Sequence, residues 1–342
     1  MNIAVGINPT ALAAADLNND KNIDLVTANF GSNDISVLLG NGDGTFQDQI
    51  RVSTGVHPKT LVIARFDADA FPDIAVIHHS DASLVILSGD GLGSFRVSQR
   101  ERLRHTPTSL VAADFNGDRK IDLAVSQTLD RAVIYSGDGR GGFTLTHTFD
   151  AGDTPTSLTA ADLNGDGALD LIAANNGTMI PAINVFLGKG DGTFSAPNLY
   201  KTTNRPLFVQ SGDYNSDGRT DIVTIYSMHS ALGMFLGGAE GRFSDPIPFG
   251  SEGGPTSALT GDFNHDGRPD LLVTNNLSGK FSVHYGKGDG TFNHPPAVYR
   301  AGQGPFASVK GAFSREGHYG LAIVNNVSNT VSLFLAKDPA PF

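Results

Sequence analysis

The feature that most restricts this chain is a phrase that returns seven times: a proline, an apolar stretch, an Asp-rich loop, a second apolar stretch, and a glycine-rich turn closed by Phe. The prolines that open it are Pro9, Pro58, Pro107, Pro155, Pro206, Pro255 and Pro305, each seven residues before the first position of the Asp-rich loop. Those first positions are Asp16, Arg65, Asp114, Asp162, Asp213, Asp262 and Ala312, so the period is 48 to 51 residues. Units of that length, unable to bury both of their own faces, read as the blades of a propeller. A ring of repeats also explains how 342 residues form one domain, although a single core stops growing at about 250 to 300 residues.

Each repeat is expected to hold four strands, A to D. In the first they are Thr10 to Ala15, Ile23 to Ala28, Ile35 to Leu39 and Phe46 to Val52. Strand B is a nearly continuous apolar run, the pattern of a strand covered on both faces. The C-to-D turn, Asn41 to Phe46, is echoed at Lys189 to Phe194 and Lys287 to Phe292, and more loosely at Gly89 to Phe95, Gly137 to Phe143 and Gly237 to Phe243. Its glycines permit positive φ, and its Phe can anchor the turn between blades. After Leu335 the seventh copy has no Gly-Thr-Phe and no fourth strand, whereas residues Asn2 to Val5 stand before Pro9 where strand D stands before the other prolines. The N-terminal segment is therefore expected to complete the seventh blade and close the ring, removing a pair of exposed edges. The prediction is an all-β, seven-bladed propeller of four-stranded antiparallel blades over residues 1–342, with blades beginning near 9, 58, 107, 155, 206, 255 and 305.

Five repeats carry Asp-x-Asn-x-Asp-x-x-x-Asp between strands A and B. These are Asp16, Asn18, Asp20 and Asp24; Asp114, Asn116, Asp118 and Asp122; Asp162, Asn164, Asp166 and Asp170; Asp213, Asn215, Asp217 and Asp221; and Asp262, Asn264, Asp266 and Asp270. Side-chain oxygens at positions 1, 3, 5 and 9, joined by the position-7 backbone carbonyls of Asn22, Lys120, Ala168, Arg219 and Arg268, can wrap Ca2+, a hard cation that takes six to eight oxygens. The bidentate Glu of an EF-hand is missing at position 12 and a strand follows at once, so a structural role is expected for up to five ions, not a switch. Five such ions would add +10 to a formal charge of −11, leaving −1. In the second repeat Arg65 takes the first position beside Asp67, Asp69 and Asp73, where its guanidinium could replace the metal. In the seventh, Ala312, Ser314, Glu316 and Gly320 leave too few ligands. Position 6 is Gly in three of the five loops but Lys21 and Arg119 in the other two, where the turn is expected to be strained.

These repeats resemble the FG-GAP/VCBS family, typified by the N-terminal propeller of integrin α subunits, and the similarity covers almost the whole chain. The resemblance implies a seven-bladed ring with calcium in the A-to-B loops of one face. Members similar to the Psathyrella velutina-type lectins bind sugars, others adhere and some are enzymes, so the fold leaves the activity open.

If calcium occupies one face, ligand contacts are expected from the D-to-A and B-to-C loops on the other, the most variable parts of the repeat. The paired amides Asn175-Asn176, Asn275-Asn276 and Asn325-Asn326 offer donors and acceptors suited to sugar hydroxyls, and Tyr226 and His229 of the fifth blade are further candidate ligand residues. There is no Trp, so Tyr200, Tyr226, Tyr299 or Phe306 would have to stack on a sugar. An alternative is a polysaccharide-lyase-like enzyme: His57, His78 and His79, with Arg104, His105 and Arg131 on the next blade, could neutralise a uronate and abstract its adjacent proton. Three histidines could equally hold zinc.

Composition limits the partners. The net charge of −11 argues against nucleic acid, which needs clustered Lys and Arg, and no apolar run approaches the roughly 18 residues of a membrane span. No Cys is present to form a disulfide. Met1 to Ala4 lacks the basic and apolar regions of a signal peptide, so a chain trimmed of its targeting sequence is expected, because loops of this kind fill at extracellular calcium levels. The expectation is a secreted, periplasmic or cell-surface binding module, lectin-like or adhesive, with a glycan or extracellular protein as its ligand.

Overall fold

The computed structural model of the protein describes residues 1–177, 180–226, 230–314 and 319–335. Its strands form seven four-stranded antiparallel sheets. In the first blade strand A is Pro9–Ala15, B is Asp24–Asn29, C is Asp34–Leu38 and D is Ile50–Ser53. The seven expected prolines each begin a strand A, a position where the missing amide costs no ladder hydrogen bond. Immediately after each proline the ladder skips one residue, so every strand A opens with a β-bulge.

Strand B is buried at every residue in the first six blades, as its unbroken apolar run requires. Its cover comes from the neighbouring blades: Val26 and Ile35 of the first share one apolar cluster with Ile74 and Val85 of the second. Strand D departs from expectation. It runs without a break only in the second and third blades, Phe95–Arg102 and Phe143–Asp150. In the fourth to sixth blades Pro197, Pro246 and Pro295 fall between the turn Phe and the strand, and a residue without an amide proton cannot continue the ladder. There the Phe is held by one bridge, such as Gly188 to Phe194, and the strand resumes later.

The ring closes as expected. Asn2–Ala4 pairs with Thr330–Leu335, matching Asn2 to Ser332 and Ala4 to Thr330, and completes the sheet that also holds Pro305–Ala312 and Tyr319–Asn325. The Ser332 hydroxyl donates to Asn2 Oδ1 (2.8 Å), and the Asn8 amide donates to Asn329 Oδ1 (2.7 Å).

Successive blades are joined by the glycine-rich turns. The turn Phe of one blade packs on the residue at loop position 2 of the blade before it: Phe143 on Phe66, Phe194 on Phe115, Phe292 on Tyr214, and across the closure Phe46 on Phe313. Beside each of these four contacts a turn glycine donates its amide to the same residue's carbonyl, Gly141 to Phe66 (2.9 Å), Gly192 to Phe115 (3.0 Å), Gly290 to Tyr214 (3.2 Å) and Gly44 to Phe313 (3.0 Å). The seventh repeat lacks this turn. At the corresponding place, against Phe263 of the sixth blade, lies a cavity of about 250 Å3 bounded by Tyr319 and Leu321 of the seventh.

Candidate metal loops and channel mouth

The five Asp-x-Asn-x-Asp loops fold alike. Position 4 is left-handed in each (Asn19, Gly117, Gly165, Ser216 and His265), and so is position 6 (Lys21, Arg119, Gly167, Gly218 and Gly267). Lys21 and Arg119 thus adopt φ of 68° and 65°, the conformation that three loops assign to Gly, at the steric cost expected of a side chain there. The position-6 amide donates to the position-1 carboxylate at 2.7 to 2.9 Å, and the position-7 amide donates to the position-5 carboxylate at 2.8 to 2.9 Å. The loops thus present the oxygens of positions 1, 3 and 5 at their open side.

Position 9 has a further task that the motif alone does not disclose. Asp24 accepts the Leu17 amide at Oδ2 (2.8 Å) and the Gly40 amide at Oδ1 (2.7 Å), tying loop position 2 to the glycine just before the C-to-D turn. The same pair of bonds recurs at Asp122, Asp170, Asp221 and Asp270. It recurs also at Asp73 in the second blade, where Arg65 breaks the motif. These aspartates are therefore buried clamps whether or not a metal is bound. Burial pushes the Asp24 carboxyl up to about 6; the Gly40 and Leu17 amides pull the other way, and Asp20 and Asp16 push further up. The other clamps shift upward, with burial the first cause.

The donor set fits a hard cation at positions 1, 3 and 5, which are half-buried or exposed while position 9 is buried; at all four positions the oxygens also accept amides, which a cation would have to share. Among the described residues no group of three or more His, Asp or Glu side chains is gathered tightly enough to hold a metal. The second loop differs from the five. Ala68 and Ala70, its positions 4 and 6, are not left-handed, and Arg65 is exposed and absent from the ion pairs of the described residues, so the guanidinium does not stand in for an ion. In the seventh loop Glu316 lies outside the described residues; Ser314 bridges to Asp43 of the first blade.

On the opposite face the repeat clarifies the candidate ligand residues. The last residue of strand B is Asn29, His78, Gln127, Asn175, Tyr226, Asn275 or Asn325, and all are buried. In most blades it holds the surrounding loops. Asn29 Nδ2 donates to Asp34 and Ser36 (2.8 Å each), Gln127 Oε1 accepts the His105 amide (3.0 Å), Ser251 donates to Asn275 Oδ1 (2.8 Å), and Asn325 Nδ2 donates to Ser332 (2.9 Å). Asn175, Tyr226, Asn275 and Asn325, expected to meet a ligand, are therefore interior residues. Their partners Asn176, Asn276 and Asn326 are half-exposed, and Asn276 Nδ2 donates to Asn326 Oδ1 (3.2 Å). His229 lies outside the described residues. Tyr200 and Tyr299 belong to strand D and pack on Phe243 and Phe281, away from the loop face.

His78 and His79 occupy the same two positions as the amide pairs, and adjacent strand residues point to opposite sides. His78 is buried, its Nε2 against the Thr54 hydroxyl (2.9 Å) and its Nδ1 against Ser83 (3.3 Å). His79 is exposed at the channel, and with His57 it flanks Phe30, whose ring stacks on His57 at 4.4 Å. The three histidines do not converge, and Arg104, His105 and Arg131 do not line the channel. The trio expected to abstract a proton is divided between a clamp and a rim.

Burial drives the His78 imidazole down to about 4, with Asp81 opposing and Arg100 reinforcing the shift. The folded state then refuses a proton that the unfolded chain takes near 6.5, so this contribution is whole above pH 6.5 and is lost as pH falls towards 4. The loss is expected to be about 2–3 kcal/mol. His78→Asn, the residue four other blades use, should remove that part of the acid sensitivity in urea unfolding at pH 7 and pH 4.5. Identical pH dependence in the variant would refute the assignment.

The seven bulges give the channel its lining. The extra residue after each proline is Thr10, Lys59, Thr108, Thr156, Leu207, Thr256 or Phe306, and all seven face one central cavity of about 690 Å3. Bulges re-aim side chains, here toward the axis. Three of the threonines cross to the next blade: Thr10, Thr156 and Thr256 donate to the carbonyls of Lys59 (2.8 Å), Leu207 (3.0 Å) and Phe306 (3.0 Å). Sequence reading missed this ring. Its signal was the column after the repeated proline, threonine in four repeats and something else in three.

Comparison with known proteins bears on the whole chain. The model of the FG-GAP-like repeat matches residues 16–76, 65–125, 114–173, 162–224 and 213–273, each match starting at loop position 1 of one blade and ending in strand B of the next. No curated protein sequence matches significantly. Among solved structures, BBS1N in complex with ARL6DN is similar in two crystals, soaked with mercury (TM-score 0.70, 12% identity) and with lead (0.71, 13%); each alignment covers 100% of this chain and 97% of that one. A protein from Lactobacillus plantarum aligns over 88% of this chain and 87% of its own, with TM-score 0.65 and 14% identity. At these identities the likeness is one of fold.

Proposed function

Because this chain belongs to the FG-GAP-like repeat family, a family generally associated with calcium, we propose that it is a calcium-stiffened binding module, secreted or exposed at a cell surface, that docks a protein through its D-to-A and B-to-C loops. Calcium is assigned to the five A-to-B loops, with the oxygens at positions 1, 3 and 5 as the principal ligands. The ions have no part in the binding step; they fix the hairpins of one face so that the loops of the other are held in place.

One observation carries the docking assignment: large aliphatic side chains stand exposed on these loops in six blades. They are Ile7, Val56, Leu129, Ile180, Leu277 and Val327, with Leu129 68% and Leu277 84% accessible. Leu129 is held at φ 61°, a conformation costly for a branched side chain and characteristic of functional loops. An apolar crown of this kind suits a protein surface better than a glycan, since the Phe rings that line the channel among the described residues, Phe30, Phe208 and Phe306, lie within it and not on the crown. BBS1N, of the same fold, is found in complex with ARL6DN, which illustrates that such a ring can take a protein partner.

The test is capture from the extracellular fraction of the source organism by the wild-type protein and by a Leu129→Asp, Leu277→Asp, Val327→Asp triple variant, with melting temperature as the folding control. A discrete partner retained by wild type and lost by the variant is the expected result. Equal capture by both, or saturable binding on a glycan array with no protein partner, would overturn it.

A further inference from the structure

Six of the seven residues that ring the channel are neutral, and the seventh is Lys59. We propose that the channel mouth is a binding site for a small organic monocarboxylate, its carboxylate held by the Lys59 ammonium and its apolar body lying against Phe30 and Phe306. The chain carries 35 acidic residues, yet none of those among the described residues lines the cavity. Lys59 is half-buried, and among the described residues no ion pair or hydrogen bond engages its ammonium. Burial pushes the Lys59 pKa downward, the sign of a cation without a counter-charge. An anion entering here would supply that charge.

The groups beside Lys59 come from three consecutive blades and suit a carboxylate with an apolar tail. His79, from the same blade, is driven toward its neutral form by burial first and then by Lys59 and His57, so it adds a hydrogen-bonding group without a second charge. Asn8 and Phe30 of the first blade and Phe306 and Asn326 of the seventh line the same cavity, supplying amides and apolar rings. Among the described residues no other Lys and no Arg lines the cavity, so a phosphate dianion would find one free cation for two charges. The cavity, at about 690 Å3, lies within the range of small-molecule sites, and although many of its lining side chains carry a hydroxyl or amide, the surface it exposes is mostly apolar.

The experiment is isothermal titration of the calcium-loaded protein with phenylacetate and 4-phenylbutyrate, each beside its neutral amide. Saturable binding of at least one carboxylate is expected, weakened at least tenfold for its amide and in Lys59→Thr. Threonine fills this position in four other blades, so the variant keeps the fold, and Lys59→Arg should retain binding. Absence of saturable binding by both carboxylates, or equal affinity for acid and amide, or equal affinity in Lys59→Thr, overturns the proposal. It does not rest on the docking assignment: the Leu129, Leu277 and Val327 triple variant should bind the carboxylate as wild type does.

Discussion

Exhaustive removal of divalent cations is expected to lower the melting temperature by about 10 °C, and added calcium to restore it. Each of the five loops sets two exposed or half-buried carboxylates and an amide oxygen on one hairpin, in a chain whose formal charge is −11. A ligand bound only by the folded state stabilises by RT ln(1 + [L]/Kd). With dissociation constants on the order of 10⁻⁴ to 10⁻³ M, typical of extracellular modules, millimolar calcium contributes about 1 kcal/mol per loop and about 5 kcal/mol for five. At roughly 2 °C per kcal/mol for a chain of this size, that gives the stated shift. Magnesium should restore less, since its strict octahedron and reluctant dehydration suit an open loop of carboxylates poorly. The chain has no Trp, so the transition is best followed by calorimetry or far-ultraviolet circular dichroism. A melting temperature unmoved by chelation would remove calcium from the proposed function.

The ring was legible because the repeat speaks at several levels at once. Period, proline, apolar run and glycine turn agree on one blade, and the missing Gly-Thr-Phe after Leu335 told where the N-terminal strand belongs. The short strands D were less visible, since a proline after the turn Phe interrupts a ladder without changing the apolar pattern. The candidate ligand residues misled for a different reason. Asn175, Asn275 and Asn325 sit where a strand meets its loop, and sequence marks that junction without saying which side chain turns inward. Aligning the repeats by column would have separated them, because His78 and the amides share one position and His79 shares the next with Asn176, Asn276 and Asn326. The same alignment would have picked out Lys59, the one charged residue in a column otherwise filled by Thr, Leu and Phe. What a column cannot give is direction: the bulge that turns Lys59 toward the axis is a matter of ladder register.

Asp73→Ala is expected to destabilise the protein by about 3–5 kcal/mol, and by the same amount with calcium present or chelated. The carboxylate accepts amides from Phe66 and Gly89, both at 3.0 Å, and removing it leaves two donors near the sheet interior without a partner. Hydrogen bonds to a charged acceptor contribute about 1.5–3 kcal/mol each, so two give about 3–6 kcal/mol, and the stated range takes the lower part because the freed amides can partly relax. Its loop begins with Arg65 and lacks the left-handed pair of the five calcium candidates, so metal should not enter the result. Asp122→Ala removes the same clamp, at Phe115 and Gly137, from a complete loop. In chelator the two variants should show equal shifts in urea midpoint at unchanged slope. In calcium Asp122→Ala should lose more, by the binding free energy of one ion. If Asp73→Ala costs under about 1 kcal/mol, the position-9 aspartate is no clamp, since a buried hydrogen-bond pair lost without effect contradicts its assigned energy. If both lose equally under all conditions, the clamp stands and position 9 is removed from the calcium ligands, leaving the cation to the oxygens of positions 1, 3, 5 and 7.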